Sequence, residues 1–62
     1  MRQEAIIINK TKVNDDITIP KDYTGYIFDE TSSFYCFYCY QLEKKLLVNK
    51  KDVKFVEWKY IK

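Results

Sequence analysis

Histidine is absent from this chain, and glycine and proline each occur once. Without an imidazole, and with no serine set in a nucleophile motif, the common arrangements for nucleophilic and general-base catalysis are missing. A single glycine also leaves no glycine-rich loop to cradle a phosphate. These absences predict a protein that is not an enzyme and carries no cofactor. The scarcity of glycine and proline, with no Ser or Gln tract, is equally unlike a linker or a disordered segment. Long apolar runs are missing too. Ala5-Ile6-Ile7-Ile8 follows a basic Arg2 but is too short for a signal-peptide core, and nothing approaches the ~20 residues of a membrane-spanning helix. Charge of one sign is also lacking: 11 basic against 9 acidic residues leave a net +2, not the field of a dedicated nucleic-acid binder. The expectation is a cytoplasmic protein with no membrane partner and with its two cysteines reduced.

What the chain does hold is aromatic. With 62 residues it has room for one domain, residues 1–62, and one core. Aromatic residues make up 18% of it, and large rings bury much area per residue, which suits so small a core. The Lys, Asn, Ile and Tyr bias is what AT-rich coding produces, as in low-GC bacteria and their phages.

Along the chain the signals are those of strands. Glu4 to Val13 is rich in β-branched residues and predicts a first strand or strand pair. Asn14-Asp15-Asp16 punctuates it, and Ile17-Thr18-Ile19 alternates before Pro20, which confines that piece to an edge or a loop. Pro20 to Gly25 reads as a turn, where the one glycine serves a positive φ or a close backbone approach. Tyr26 to Glu30 is a short strand. After Thr31-Ser32-Ser33, the run Phe34-Tyr35-Cys36-Phe37-Tyr38-Cys39-Tyr40 predicts a central strand covered on both faces. Gln41 to Lys45 is the next turn, with a single helical turn as the alternative; Leu46-Leu47-Val48 is a strand, and Asn49 to Asp52 has the size of a 3₁₀ turn. In the tail, Val53 and Phe55 alternate in one phase and Val56, Trp58 and Tyr60 in the other, which predicts a bulge or bend between Phe55 and Val56.

The succession of an Asp-rich turn, Ile17-Thr18-Ile19-Pro20-Lys21-Asp22-Tyr23-Thr24-Gly25-Tyr26-Ile27, an aromatic strand, Leu46-Leu47-Val48, a short polar break and Val53-Lys54-Phe55-Val56-Glu57 resembles the small bacterial SH3-like barrels. In that group a proline-containing loop leads into a Gly-x-Ile/Val strand, and a one-turn 3₁₀ break precedes the last strand. The resemblance covers roughly residues 12–58 and implies an all-β, five-stranded SH3-like barrel, to which Ala5–Ile8 adds an N-terminal edge strand. The ALYDY-like motif and paired tryptophans of the signalling SH3 domains are lacking, so proline-rich peptide recognition is not implied.

Cys36-Phe37-Tyr38-Cys39 has the spacing of a zinc knuckle or a redox pair. Zinc would need about four ligands, and residues three apart on a strand point to opposite faces, so the thiols are read as structural and no metal site is predicted. Asp15, Asp16, Asp22, Asp29 and Glu30 lie in turns and at strand ends, where Asp is common for backbone hydrogen bonding.

Alternation directs Val13, Ile27, Phe37, Cys39, Leu46, Val48, Val53 and Phe55 inward. Tyr23, Tyr26, Phe28, Tyr38, Tyr40, Trp58 and Tyr60 are then left on the outer face or rim, unless Ala5–Ile8 or the tail folds over them. Tyr and Trp beside Lys54 and Lys59 have the composition of a protein interface. The expected function is a protein-binding module with a larger protein partner, in one form a phage or mobile-element inhibitor of a host enzyme or defence complex, anti-CRISPR-like and acting in the host cytoplasm. Lys44, Lys45, Lys50, Lys51, Lys54, Lys59 and Lys62 with these rings make a nucleic-acid-binding barrel the alternative. Self-association as a homo-oligomer through the aromatic patch is a third reading.

Overall fold

The aromatic run forms the strand against which the rest is arranged. The computed structural model describes residues 3–56. It is all-β, with strands β1 (Gln3–Ile7), β2 (Thr11–Lys12), β3 (Thr18–Ile19), β4 (Thr24–Glu30), β5 (Phe34–Cys39), β6 (Lys44–Asn49) and β7 (Val53–Phe55), and a 3₁₀ turn at Lys50–Asp52 as expected. Five antiparallel strands make one sheet in the order β6-β5-β4-β1-β7, and β2 and β3 form a separate hairpin.

Local chemistry closes each connection. Asn14 Oδ1 accepts from Asp16 N (2.8 Å) and Ile17 N (3.0 Å), closing the β2–β3 turn. Thr31 Oγ1 accepts from Phe34 N at 3.0 Å between β4 and β5. Between β5 and β6 the chain turns through residues 40–43, where Glu43 N donates to Cys39 O at 2.8 Å and Glu43 takes a left-handed φ of 55°. Tyr40 thus belongs to the turn rather than to the strand. Asn49 caps the 3₁₀ turn by accepting from Lys51 N at 3.1 Å.

The inner face carries the core. Ala5, Ile7, Ile27, Phe37, Cys39, Val48 and Val53 are buried on the sheet, and Ile19 and Thr11 of the hairpin are buried opposite them. Each fully buried aliphatic or aromatic side chain of this kind contributes roughly 1.5–3 kcal/mol. Leu46 and Val13 pack against this core only half-buried. Phe55 corrects the expected inward set: it pairs with Ala5 but lies at the open end of the sheet, 46% exposed, its ring 5.4 Å from Tyr35.

The N-terminal segment is likewise not an added edge. β1 lies between β4 and β7, pairing Ala5 with both Gly25 and Phe55, because its own inward residues, Ala5 and Ile7, are core. It therefore does not fold over the outer aromatics. The edges are β6 and β7, which do not pair with each other among the described residues. Nor is β5 sealed on both sides: Phe37 and Cys39 are buried, whereas Cys36 and Tyr38 on the outer face are half-buried.

Gly25 supplies a close approach, not a positive φ. A Cβ there would overlap the carbonyl oxygen of Tyr38 on β5 and lie 2.8 Å from Cζ of Phe37. The left-handed positions are Asp22 (φ 78°) and Glu43. The register shift lies in β4, where Phe28 is an extra residue between the pairs Ile27↔Phe37 and Asp29↔Cys36. At Phe55–Val56, where alternation predicts a phase break, the ladder instead continues: Val56 N donates to Glu4 O at 2.9 Å, in step with Ala5↔Phe55. The rest of that alternation, Trp58 and Tyr60, lies outside the described residues.

Gly25→Ala is expected to destabilise the domain by about 3 kcal/mol or more, since backbone on the neighbouring strand must move; urea denaturation measures it. Asp22→Gly and Glu43→Gly, which relieve left-handed non-glycine residues, are each expected to stabilise by about 0.5–1 kcal/mol, raising Tm by several degrees in a thermal melt.

Candidate protein-binding face

Period-two alternation puts the residues between the core positions of β4 and β5 on the opposite, outer face. There the register places Tyr26 directly across from Tyr38, and Tyr38 across from Lys45 of β6. The rings form a connected array. Tyr26 lies 5.3 Å from Tyr38, 5.9 Å from Tyr40 and 6.1 Å, edge-on, from Phe28, and Tyr38 lies 6.0 Å from Tyr40. Such offset and edge contacts are each worth about 0.5–1.5 kcal/mol beyond area burial. The bulge leaves Phe28 without a partner across β5, and its ring lies under the ammonium of Lys45 at 5.6 Å. On the other flank Tyr40 Oη donates to the Glu4 carboxylate at 2.8 and 3.1 Å. Rings locked against one another lose little entropy on meeting a partner.

Of the residues expected at the interface, the structure brings together Tyr26, Phe28, Tyr38 and Tyr40, all half-buried. Lys54 shares their face but stands on β7, across β1 at Ile6, which itself pairs with Thr24. Tyr23 is a correction. It packs against the core, and its carbonyl accepts from Ile7 N at 2.8 Å, because it sits where the chain enters the sheet from the hairpin. Trp58, Lys59 and Tyr60 lie outside the described residues. The sequence reasoning missed the exposed Leu47 and Glu4, and it set Lys45 beside the rings only for the nucleic-acid alternative. The alternation of β6 offered the signal, since Leu46 and Val48 inward require Lys45 and Leu47 outward.

The described C-terminal lysines are spread over β6, the 3₁₀ turn and β7. Lys45 is on the β6 edge and Lys54 on the β7 edge, at opposite ends of the sheet order. Lys50 lies 3.8 Å from Glu30 and 5.1 Å over the Tyr35 ring. The cysteines part as strand geometry requires, Cys39 buried in the core and Cys36 half-buried on the outer side, and both are free thiols. Among the described residues no three His, Cys, Asp or Glu side chains are grouped to hold a metal ion. No helix of the described residues is long and apolar enough to cross a membrane.

No protein-family model matches the chain, and no curated protein or solved structure is significantly similar to it.

The two thiols are expected to react unequally. In the native protein iodoacetamide should alkylate Cys36 while Cys39 stays protected until the domain opens, and mass mapping of the modified peptides reads the difference.

Proposed function

We propose that this chain is a non-enzymatic protein-binding module with an SH3-like barrel fold, which docks a larger protein partner on the outer face of β4 and β5. The observation that carries the reading is the array itself: four rings and the Lys45 ammonium gathered on one face, beside a Leu47 that is 52% exposed. Clustered aromatic rings are enriched at the centres of protein interfaces and among their hot spots. The barrel reading is supported by the strand order β6-β5-β4-β1-β7, by the hairpin inserted between β1 and β4, and by the 3₁₀ turn before the last strand. The Glu4 carboxylate bonded to Tyr40 within the array, and the Glu30 carboxylate beside Lys50, favour a protein over a nucleic acid. Small size and AT-rich composition suit the narrower form of this function, a phage or mobile-element inhibitor of a host enzyme or defence complex.

The experiment is affinity capture from a low-GC bacterial lysate with the native chain and with a Phe28→Ser/Tyr38→Ala variant whose folding is checked by circular dichroism. A protein captured by the native chain and lost by at least about tenfold with the variant is the expected result, as for truncated hot spots. Capture unaffected by the variant overturns the assignment of the face. Oligonucleotide binding that falls with salt by a log–log slope of about 0.7–0.9 per phosphate would replace the proposal with the nucleic-acid reading.

A further inference from the structure

A second unfinished surface lies at the edge of the sheet. β6 pairs with β5 along its whole length, from Cys39↔Lys44 to Phe34↔Asn49, without a register shift, and no other described strand pairs with its far side. The hydrogen bonds settle which backbone groups face outward. On β5, Phe34 O and Tyr40 N are turned toward the β4 side, bonding Thr31 N and Thr24 O, whereas Ser33 O accepts from Lys50 N at 3.2 Å on the β6 side. Antiparallel ladders alternate in this respect. Lys44, Leu46 and Val48 therefore direct their N–H and C=O groups to β5, and Lys45, Leu47 and Asn49 direct theirs to the open edge.

Edge strands are ordinarily blunted by proline, bulges or charge. β6 has no proline and no bulge, and its two lysines stand at one end, leaving Leu47 exposed toward the other. Beside this second half runs a groove of about 410 Å³, with Lys10, Lys12 and Val13 along the hairpin wall and Phe34, Leu47 and Asn49 along the β6 wall. Phe34 is 41% exposed there. The carboxylate lining the groove, Asp52, is engaged by Asn9 Nδ2 at 3.3 Å.

We propose that β6 receives an extended segment of another protein, acidic and apolar in alternation, by strand addition. Main-chain bonds would come from Lys45, Leu47 and Asn49. An apolar side chain would lie against Leu47 and Phe34, and carboxylates, alternating to the other side of the added strand, would face Lys44, Lys10 and Lys12, opposite charges across a strand pair being favourable. Charge argues against a second copy of this chain as the occupant. Pairing β6 antiparallel with itself about Leu47 would set Lys44 across from Lys50. This edge shares Lys45 and Leu47 with the border of the tyrosine array, but its main-chain bonding needs none of the rings, and the inference stands without them.

The test uses the full chain, ¹⁵N-labelled, titrated at low salt with a capped eight-residue peptide of alternating Glu and Val, and separately with its Lys-Val counterpart. The expected result is shift changes at the Lys45, Leu47 and Asn49 amides and over Lys10–Val13, with the Lys-Val peptide inert. Leu47→Pro removes an outward N–H that the β5 ladder does not use, so it should keep the fold and weaken binding by at least about tenfold. The Lys12→Glu/Lys44→Glu variant, which leaves the backbone and the aromatic array untouched, should invert the peptide preference, and it decides the question if Leu47→Pro does not fold. No shifts at millimolar peptide, shifts confined to Tyr26, Phe28, Tyr38 and Tyr40, or equal response to both peptides overturns the inference. Concentration-dependent dimerisation by light scattering with the same β6 amides shifted overturns it in favour of a second copy.

Discussion

The sheet depends on how closely β4 and β5 approach at Gly25. The Tyr38 carbonyl occupies the space a Cβ would need, and the Phe37 ring crosses over the same point on the inner side. Ala5, the neighbour of Gly25 on β1, is nearly as small and fully buried. These two small residues side by side give the largest core side chain its place, and with Phe37 seated, Ile7, Ile19 and Val48 close around it. Among the described residues the buried side chains form one cluster, so the loss of this packing has no second centre there to offset it.

The inner packing has a consequence on the other side of the sheet. Because strand residues alternate, fixing Phe37 and Cys39 inward commits Tyr38 outward, and fixing Gly25 and Ile27 inward commits Tyr26 outward beside it. The bulge at Phe28 then adds one residue without a cross-strand partner, and its ring joins the array. The candidate binding face is thus the obverse of the core. At the β6 edge the same ladder geometry leaves three residues with main-chain groups directed outward, beside a groove walled by lysines.

Much of this can be read along the chain. The aromatic run of β5, the short strand from Tyr26, the 3₁₀ break at Asn49–Asp52 and the inward positions of Ile27, Phe37, Cys39, Val48 and Val53 follow from β-branched and aromatic density and from alternation. Four rings of the candidate face follow too, by elimination. Other features do not. Ala5-Ile6-Ile7-Ile8 is apolar in every position, so its pattern does not say which side is buried or which strands flank it. Phe55 has the right phase for the core, but phase does not reveal that the sheet ends there. Tyr23 looks like the other tyrosines in composition and differs only in where the hairpin brings it.

Amino-acid order alone sets the strand-forming character of the chain, the absence of an imidazole, the surplus of aromatic rings and the single glycine where a turn enters a strand. These are local properties, governed by side-chain shape and a two-residue period. Folding in three dimensions places β1 inside the sheet, makes the bulge at Phe28 and assembles Tyr26, Phe28, Tyr38 and Tyr40 into one face. Each of these depends on which strand lies beside which and in what register. That is settled by hydrogen bonds and packing between residues far apart in the chain, and the chain's local pattern carries no record of it.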